Sequence, residues 1–258
     1  MSDVLLVERD GRVAILTINR PDKLNALNNA VRDAMVSVLA ELESDDSVGV
    51  IVITGAGEKS FIAGADIGEF EGRSPFDQRH AMRSPRVFDI MASFPKPVIA
   101  MVNGFCLGGG CELAMSCDLR VASETARFGQ PEINLGLIPG GGGTQRMPRL
   151  TGTGQAMRLM LTGDIIPAAE AKEIGLVEMV FAADELREKT LELAHKIASK
   201  SPLTLRIAKE AVRAAERLPI EAGITYERDL FCLVFSTEDK DEGVQAFLEK
   251  RPAEWKGR

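Results

Sequence analysis

The sequence predicts an α/β fold on three observations: short β-branched runs that read as buried strands, helical periods between them, and a C-terminal third with helical periods alone. Strands alternating with helices build sheets covered by helices. A closing run of helices without strands extends such a domain.

Val4 to Glu8 and Val13 to Ile18 alternate in the strand manner around Asp10-Gly11, a pair suited to a tight hairpin turn. Asn29 to Leu42 carries Val31, Met35, Val38, Leu39 and Leu42 at helical period, and Val48 to Thr54 is a run short enough for a buried strand. Val98 to Val102 is a second such run, "CELAMS" a short helical segment, and Leu119 to Ala122 a further strand. From about Thr153 the pattern is helical: Gln155 to Leu161, then "IPAAEAKEIGLV" with Pro167 at a helix start and Gly175 at its end, then Asp184 to Ser199. Helices follow at Pro202 to Arg217, Pro219 to Phe235 and Glu238 to Lys250, the last capped by Ser236 or Thr237. With no low-complexity linker and no strict repeat, the chain reads as one α/β domain, residues 1–197, with residues 198–258 as its helical extension.

Composition excludes several functions. A chain of 258 residues with 45% hydrophobic and 27% charged side chains has enough apolar material for a sizeable core. The net charge of −7, without a Lys/Arg stripe, argues against nucleic acid or an anionic membrane as the main partner. Cys106, Cys111, Cys117 and Cys232 form no C-x-x-C pair, and three of them crowd one small-residue region, which reads as packing in a reduced compartment. The N-terminus lacks a basic segment followed by an apolar core, and no apolar run reaches the ~18 residues of a membrane span, so a soluble, cytoplasmic protein is expected.

Three glycine-rich loops carry the candidate chemistry. "VIVITGAGEKS" begins like a dinucleotide-binding turn, but Ser60 holds the third glycine position and the chain continues "FIAGADIGEF" rather than into an amphipathic helix. "PGGGGTQR" has no Gly-Lys-Ser/Thr and is no P-loop. In "VNGFCLGGGCELA" a strand, a glycine turn and a helix start would aim the N–H of Gly109 or Gly110 at whatever lies above the strand end. "FIAGAD" is a second small-residue turn, and Ala65 supplies another N–H if the two turns lie side by side. Glu112, set among glycines, cysteines and small apolar side chains, is either a helix-start charge or a buried acid/base group, and Glu132 after Pro131 is either a solvated loop residue or its counterpart. Asp66 reads as a cap for the helix after it, His80 and His195 as surface or helix residues, Met157 and Met160 as core or subunit packing, and Glu238 to Glu242 as a solvated helix start.

Together "RPDKLNAL", "FIAGADIGE", "KPVIAMVNGFCLGGGCELAMSCDLRVA", "FGQPEINLGLIPGGGGTQR" and "LTGDIIPAAEAKEIGLV" resemble the enoyl-CoA hydratase/isomerase (crotonase) family over nearly the whole chain. The resemblance implies a crotonase-like spiral of ββα repeats and a C-terminal helical region that builds trimers, paired into hexamers. It implies an oxyanion hole at the N–H groups of Ala65 and Gly109, catalytic carboxylates at Glu112 and Glu132, and a water-holding N–H at Gly140. It also implies coenzyme A contacts at Lys23, Leu24, Ala26, Ala63, Ala65, Asp66, Ile67, Gly68 and Gly109. The expected substrate is an acyl-CoA thioester, with coenzyme A as part of the substrate and no separate cofactor or metal.

Hydrating a C2=C3 bond conjugated to a thioester needs oxygen at C3, a proton at C2 and stabilisation of charge on the thioester oxygen. Two acid/base groups and an oxyanion hole supply these. A double-bond isomerase manages with one carboxylate, and in the family's isomerases the position matching Glu112 is commonly not acidic, so the pair favours hydration. The family also includes RNA-binding members, a reading that the acidic balance opposes. Residues 68–91, with Phe70, Pro75, Phe76, Met82, Phe88 and Met91, are the expected acyl-pocket lining.

Overall fold

β1 (Leu5–Asp10) and β2 (Val13–Ile18) pair antiparallel across Gly11, whose φ of 55° suits glycine. α1 (Asn29–Glu43) starts where the Asn28 side chain accepts a hydrogen bond from the Val31 N–H, and it turns Val31, Met35, Leu39 and Leu42 inward. The computed structural model describes residues 3–83 and 86–258. Its further elements are β3 (Val50–Gly55), β4 (Ser60–Ile62), α2 (Pro75–Ala81), α3 (Val87–Ser93), β5 (Val98–Val102), β6 (Phe105–Leu107), α4 (Gly109–Ser116), β7 (Leu119–Ser123) and β8 (Arg127–Gly129). There follow α5 (Gly143–Thr151), α6 (Thr153–Thr162), β9 (Ile165–Pro167), α7 (Ala168–Glu173), β10 (Met179–Phe181), α8 (Leu186–Ala198), α9 (Pro202–Ala214), α10 (Ile220–Val234) and α11 (Glu238–Glu249).

From β3 to β8 successive strands alternate between two sheets. The larger has the order β1-β2-β3-β5-β7-β10 and the smaller β4-β6-β8-β9. Each pair β3/β4, β5/β6 and β7/β8 therefore gives its first strand to one sheet and its second to the other, a spiral whose repeat no sequence identity reveals. The larger sheet is parallel from β2 to β10, and its strands β2, β3, β5 and β7 are buried on both faces, which explains their β-branched runs. Leu186, Ala194 and Ala198 of α8 cover one face, and α1, α3 and α4 pack into the core on the other.

Register in the smaller sheet positions the site. Ile62 of β4 pairs with Cys106 of β6, and Leu107 of β6 with Gly129 of β8, all three strands parallel. The segments leaving these strands, 63–66, 108–109 and 130–132, thus emerge side by side at one edge, as binding segments do at the carboxyl ends of parallel strands. Gly110 is held to glycine by this packing, because a Cβ there would lie 2.0 Å from the Ile62 carbonyl oxygen.

α9 is pinned to the core by charge: Lys209 Nζ lies 2.6 Å from Asp118 Oδ2 and Arg213 Nη2 2.8 Å from Oδ1. Thr237 caps α11, accepting from the Lys240 N–H. The expected solvated helix start needs correction at Asp239, which is 2% exposed and accepts hydrogen bonds from Ser201 Oγ and from the N–H groups of Lys256 and Gly257. It is the buried post to which the C-terminal tail is tied. Cys106, Cys111 and Cys117 are buried and Cys232 is exposed. No helix among the described residues is long and apolar enough to cross a membrane.

Candidate active site

Glu112 sits in the first turn of α4 and is only 3% exposed. A bare carboxylate there would be costly, and the structure meets the cost with backbone donors. The N–H of Gly141 reaches Glu112 Oε1 at 2.6 Å and that of Gly143 at 2.8 Å. Burial pushes the Glu112 carboxyl up from its ordinary range, while these two N–H groups and the nearby charges of Arg86 and Arg146 pull it down. The sequence reading assigned only Gly140 in this loop. It missed Gly141, Gly143 and the helix α5 they lead into, because Pro148 inside that helix and the glycine run before it mask any helical period. The space confirms the role of Gly141: a Cβ there would lie 2.7 Å from Glu112 Oε2 and 2.9 Å from Phe88 Cζ.

Glu132 lies in the short 3-10 turn Pro131–Leu135 and is half-buried. Burial first, then the Glu112 charge, push its carboxyl up to about 7. Gln130, fully buried, satisfies its neighbours with its amide nitrogen set toward Glu132, donating to Oε1 at 2.9 Å and Oε2 at 3.1 Å. The Glu132 carboxyl lies against the glycine turn from which α4 starts, since a Cβ on Gly108 would be 3.1 Å from Glu132 Oε1, and the Glu112 charge reaches it there.

The two small-residue turns do lie together. A Cβ on Gly109 would be 3.5 Å from the Ala65 nitrogen. Neither the Ala65 nor the Gly109 N–H has an acceptor among the described residues, and Gly109 opens α4, so both are available to an outside oxygen. The turn around Ala65 is fixed by bonds to the 20–27 segment: Ala63 N–H to the Leu24 carbonyl at 3.0 Å, Leu27 N–H to the Gly64 carbonyl at 2.9 Å, and Asp66 N–H to the Leu27 carbonyl at 2.9 Å. This brings Lys23, Leu24 and Ala26 alongside Ala63–Gly68 as one rim, with Lys23, Leu24 and Ile67 exposed. Asp66 departs from the expected cap. Its side chain makes no capping bond and instead pairs with Arg20 Nη2 at 2.9 Å, a contact that holds its carboxyl below the ordinary range.

Of the expected lining, Phe88 and Met91 are buried, whereas Phe76 is 77% exposed and Met82 43%. Met82 still faces the site, its Cε 3.2 Å from a Cβ placed on Gly140. His80 and His195 are exposed, the latter 3.0 Å from Asp10 Oδ2. Met160 packs partly buried against the core and Met157 is exposed.

A spiral of strands shared between two sheets, closed by C-terminal helices, defines an α/β protein of the crotonase fold. The chain belongs to the enoyl-CoA hydratase/isomerase family, whose model matches residues 8–258. It is 46% identical over 251 residues to the short-chain-enoyl-CoA hydratase of Clostridium acetobutylicum, covering 97% of this chain and 96% of that one. It is also 46% identical over 254 residues to the 2,3-dehydroadipyl-CoA hydratase of Escherichia coli, covering 98% and 99%. The crystal structure of an enoyl-CoA hydratase from Bacillus anthracis superposes with a TM-score of 0.94 at 41% identity, covering 99% of this chain and all of that one.

Proposed function

We propose that the protein is an enoyl-CoA hydratase that adds water across the 2,3 double bond of a trans-2-enoyl-CoA to give a 3-hydroxyacyl-CoA. The observation that carries this reading is the Glu132 carboxyl lying against the glycine turn from which the Glu112 helix starts, beside the unclaimed N–H groups of Ala65 and Gly109. In this scheme the thioester oxygen accepts from both N–H groups, which stabilise the negative charge that develops there as oxygen attacks C3. Glu112, whose ionised form the N–H groups of Gly141 and Gly143 favour, takes a proton from the water. Glu132, whose carboxyl titrates at about 7, delivers the proton to C2.

Coenzyme A is placed along the rim of Lys23, Leu24, Ala26 and Ala63–Gly68, and the Gly140 N–H near the water. The reaction needs no further cofactor. The C-terminal helices are assigned to homo-oligomer contacts, as a trimer or a pair of trimers: Phe231, Phe235, Phe247 and Leu248 are 57–82% exposed in the single chain.

The test is hydration of crotonyl-CoA, followed by loss of enoyl-thioester absorbance, in E112Q, E132Q and the double variant. Each single variant should lose most turnover with coenzyme A binding little changed, and the double should be only slightly worse than the worse single. Substantial hydration by folded E112Q would return Glu112 to a helix-start charge. Isomerisation retained in E112Q and lost in E132Q would make the protein an isomerase.

A further inference from the structure

The loop that holds Glu112 is itself held from outside. Arg86 Nη1 donates to the Gly140 carbonyl oxygen at 2.5 Å, and its guanidinium carbon lies 4.9 Å from the centre of the Phe88 ring. The Gly140 carbonyl and the Gly141 N–H are the two ends of one peptide unit, and that N–H reaches Glu112 at 2.6 Å. A cation on the carbonyl end polarises the unit and strengthens the bond its N–H gives, so the three groups form a chain of cooperating hydrogen bonds. We infer that Arg86 is a positioning residue for the hydration reaction, acting on Glu112 through the Gly140–Gly141 peptide.

This rests on the reading of Glu112 as one of the two acid/base groups. The charges that face Glu112 are Arg86, which precedes α3, Arg146 on α5 and Glu132 on its 3-10 turn. Arg146 performs a parallel task one peptide along, donating to the Gly141 carbonyl at 2.8 Å, but its charge is answered by Asp89 of α3 at 4.0 Å and it is also felt by Arg213 and Glu216. Arg86 differs: among the described residues no carboxylate lies within 4.0 Å of its guanidinium, and Asp89 meets only its backbone N–H. Its charge therefore has no ion-pair partner among the described residues, and the buried Glu112 carboxyl feels it. Removing that cation should favour the protonated form of the glutamate pair, which moves the acid limb of the rate profile to higher pH.

The experiment measures kcat and KM for crotonyl-CoA across pH in R86M, R86Q and R86K, with thermal denaturation as the folding control. R86M should lose roughly 5–50-fold in kcat, with KM within about threefold, and its acid limb should rise by roughly half a pH unit or more. R86Q should show the same displaced limb with a smaller loss, since it keeps a donor without the charge. R86K should recover most of both. Should R86M not fold, R86Q carries the same test. Unchanged kcat and pH profile in folded R86M and R86Q would overturn the inference, as would a loss confined to an enoyl-CoA bearing a terminal carboxylate, which would make Arg86 a contact for the acyl tail. E112Q separates the two claims: turnover retained there sinks the two-carboxylate reading and the inference with it, whereas an inactive E112Q beside a wild-type R86M sinks the inference alone.

Discussion

Replacing Glu132 by glutamine should stabilise the protein above neutral pH, and the size of the effect follows from its surroundings. The carboxyl titrates at about 7 against an ordinary value of 4.5, chiefly because it is desolvated. A carboxyl raised in the folded state contributes stability below its unfolded value and loses it as pH rises through the folded one, because the buried group must then ionise. At about 1.36 kcal/mol per pKa unit, a difference of about 2.5 sets a ceiling of about 3.4 kcal/mol. Glu132 is only half-buried, so solvent screening reduces this to about 1–2 kcal/mol. Glutamine mimics the protonated acid, keeps a partner for Gln130 and cannot ionise. The melting temperatures of E132Q and the parent should therefore be close at pH 5 and diverge between pH 5 and 7.5, reaching a gap of about 2–6 °C in favour of E132Q. Differential scanning calorimetry at fixed protein concentration measures it. A gap that is constant with pH, or one favouring the parent at pH 8, would refute the claim that desolvation raises this carboxyl.

Gly109→Pro removes one proposed oxyanion donor and should lower hydration by roughly two to three orders of magnitude, with circular dichroism verifying that α4 survives. Gly110→Ala places a methyl group 2.0 Å from the Ile62 carbonyl oxygen, forces α4 away from β4, and should cost about 2–4 kcal/mol in denaturant unfolding. Light scattering on the intact chain should find a trimer or hexamer at micromolar concentration, and Phe247→Glu, at a site 82% exposed in the single chain, should weaken it; a clean monomer would contradict the assembly.

The larger elements were legible because their causes are local. Asp10-Gly11 makes its own hairpin, Val98–Val102 is buried on both faces, and α1 and α8–α11 carry an apolar period. The strands β4, β6, β8 and β9 were not, since three residues are too few for a period and their pairing partners lie roughly 20 to 45 residues away in the chain. That gap hid the decisive fact about the site, the side-by-side emergence of 63–66, 108–109 and 130–132. Glu112 could be singled out by its apolar neighbours, but the groups that make its charge tolerable, Gly141, Gly143, Arg86 and Arg146, come from other segments and carry no local signal. Asp239 was misread for the same reason: beside Glu238, Asp241 and Glu242 it looks solvated, and only the returning C-terminal tail buries it.

The proposed division of labour between the glutamates follows from how differently the fold treats them. Both carboxyls are raised by burial, so neither environment alone separates acid from base. What separates them is the backbone. Glu112 receives two N–H groups from a loop whose outward carbonyls are gripped by two arginines, donors that favour the ionised form and are in place before any substrate arrives. Glu132 is desolvated and feels the negative charge of Glu112, conditions that leave its proton in place near neutral pH. The ionised member thus helps to keep the other protonated, so a change that neutralises Glu112 should also make Glu132 a stronger acid. This coupling is one reason the two single substitutions should not add: E112Q removes its own group and also the charge that keeps Glu132 in its working protonation state.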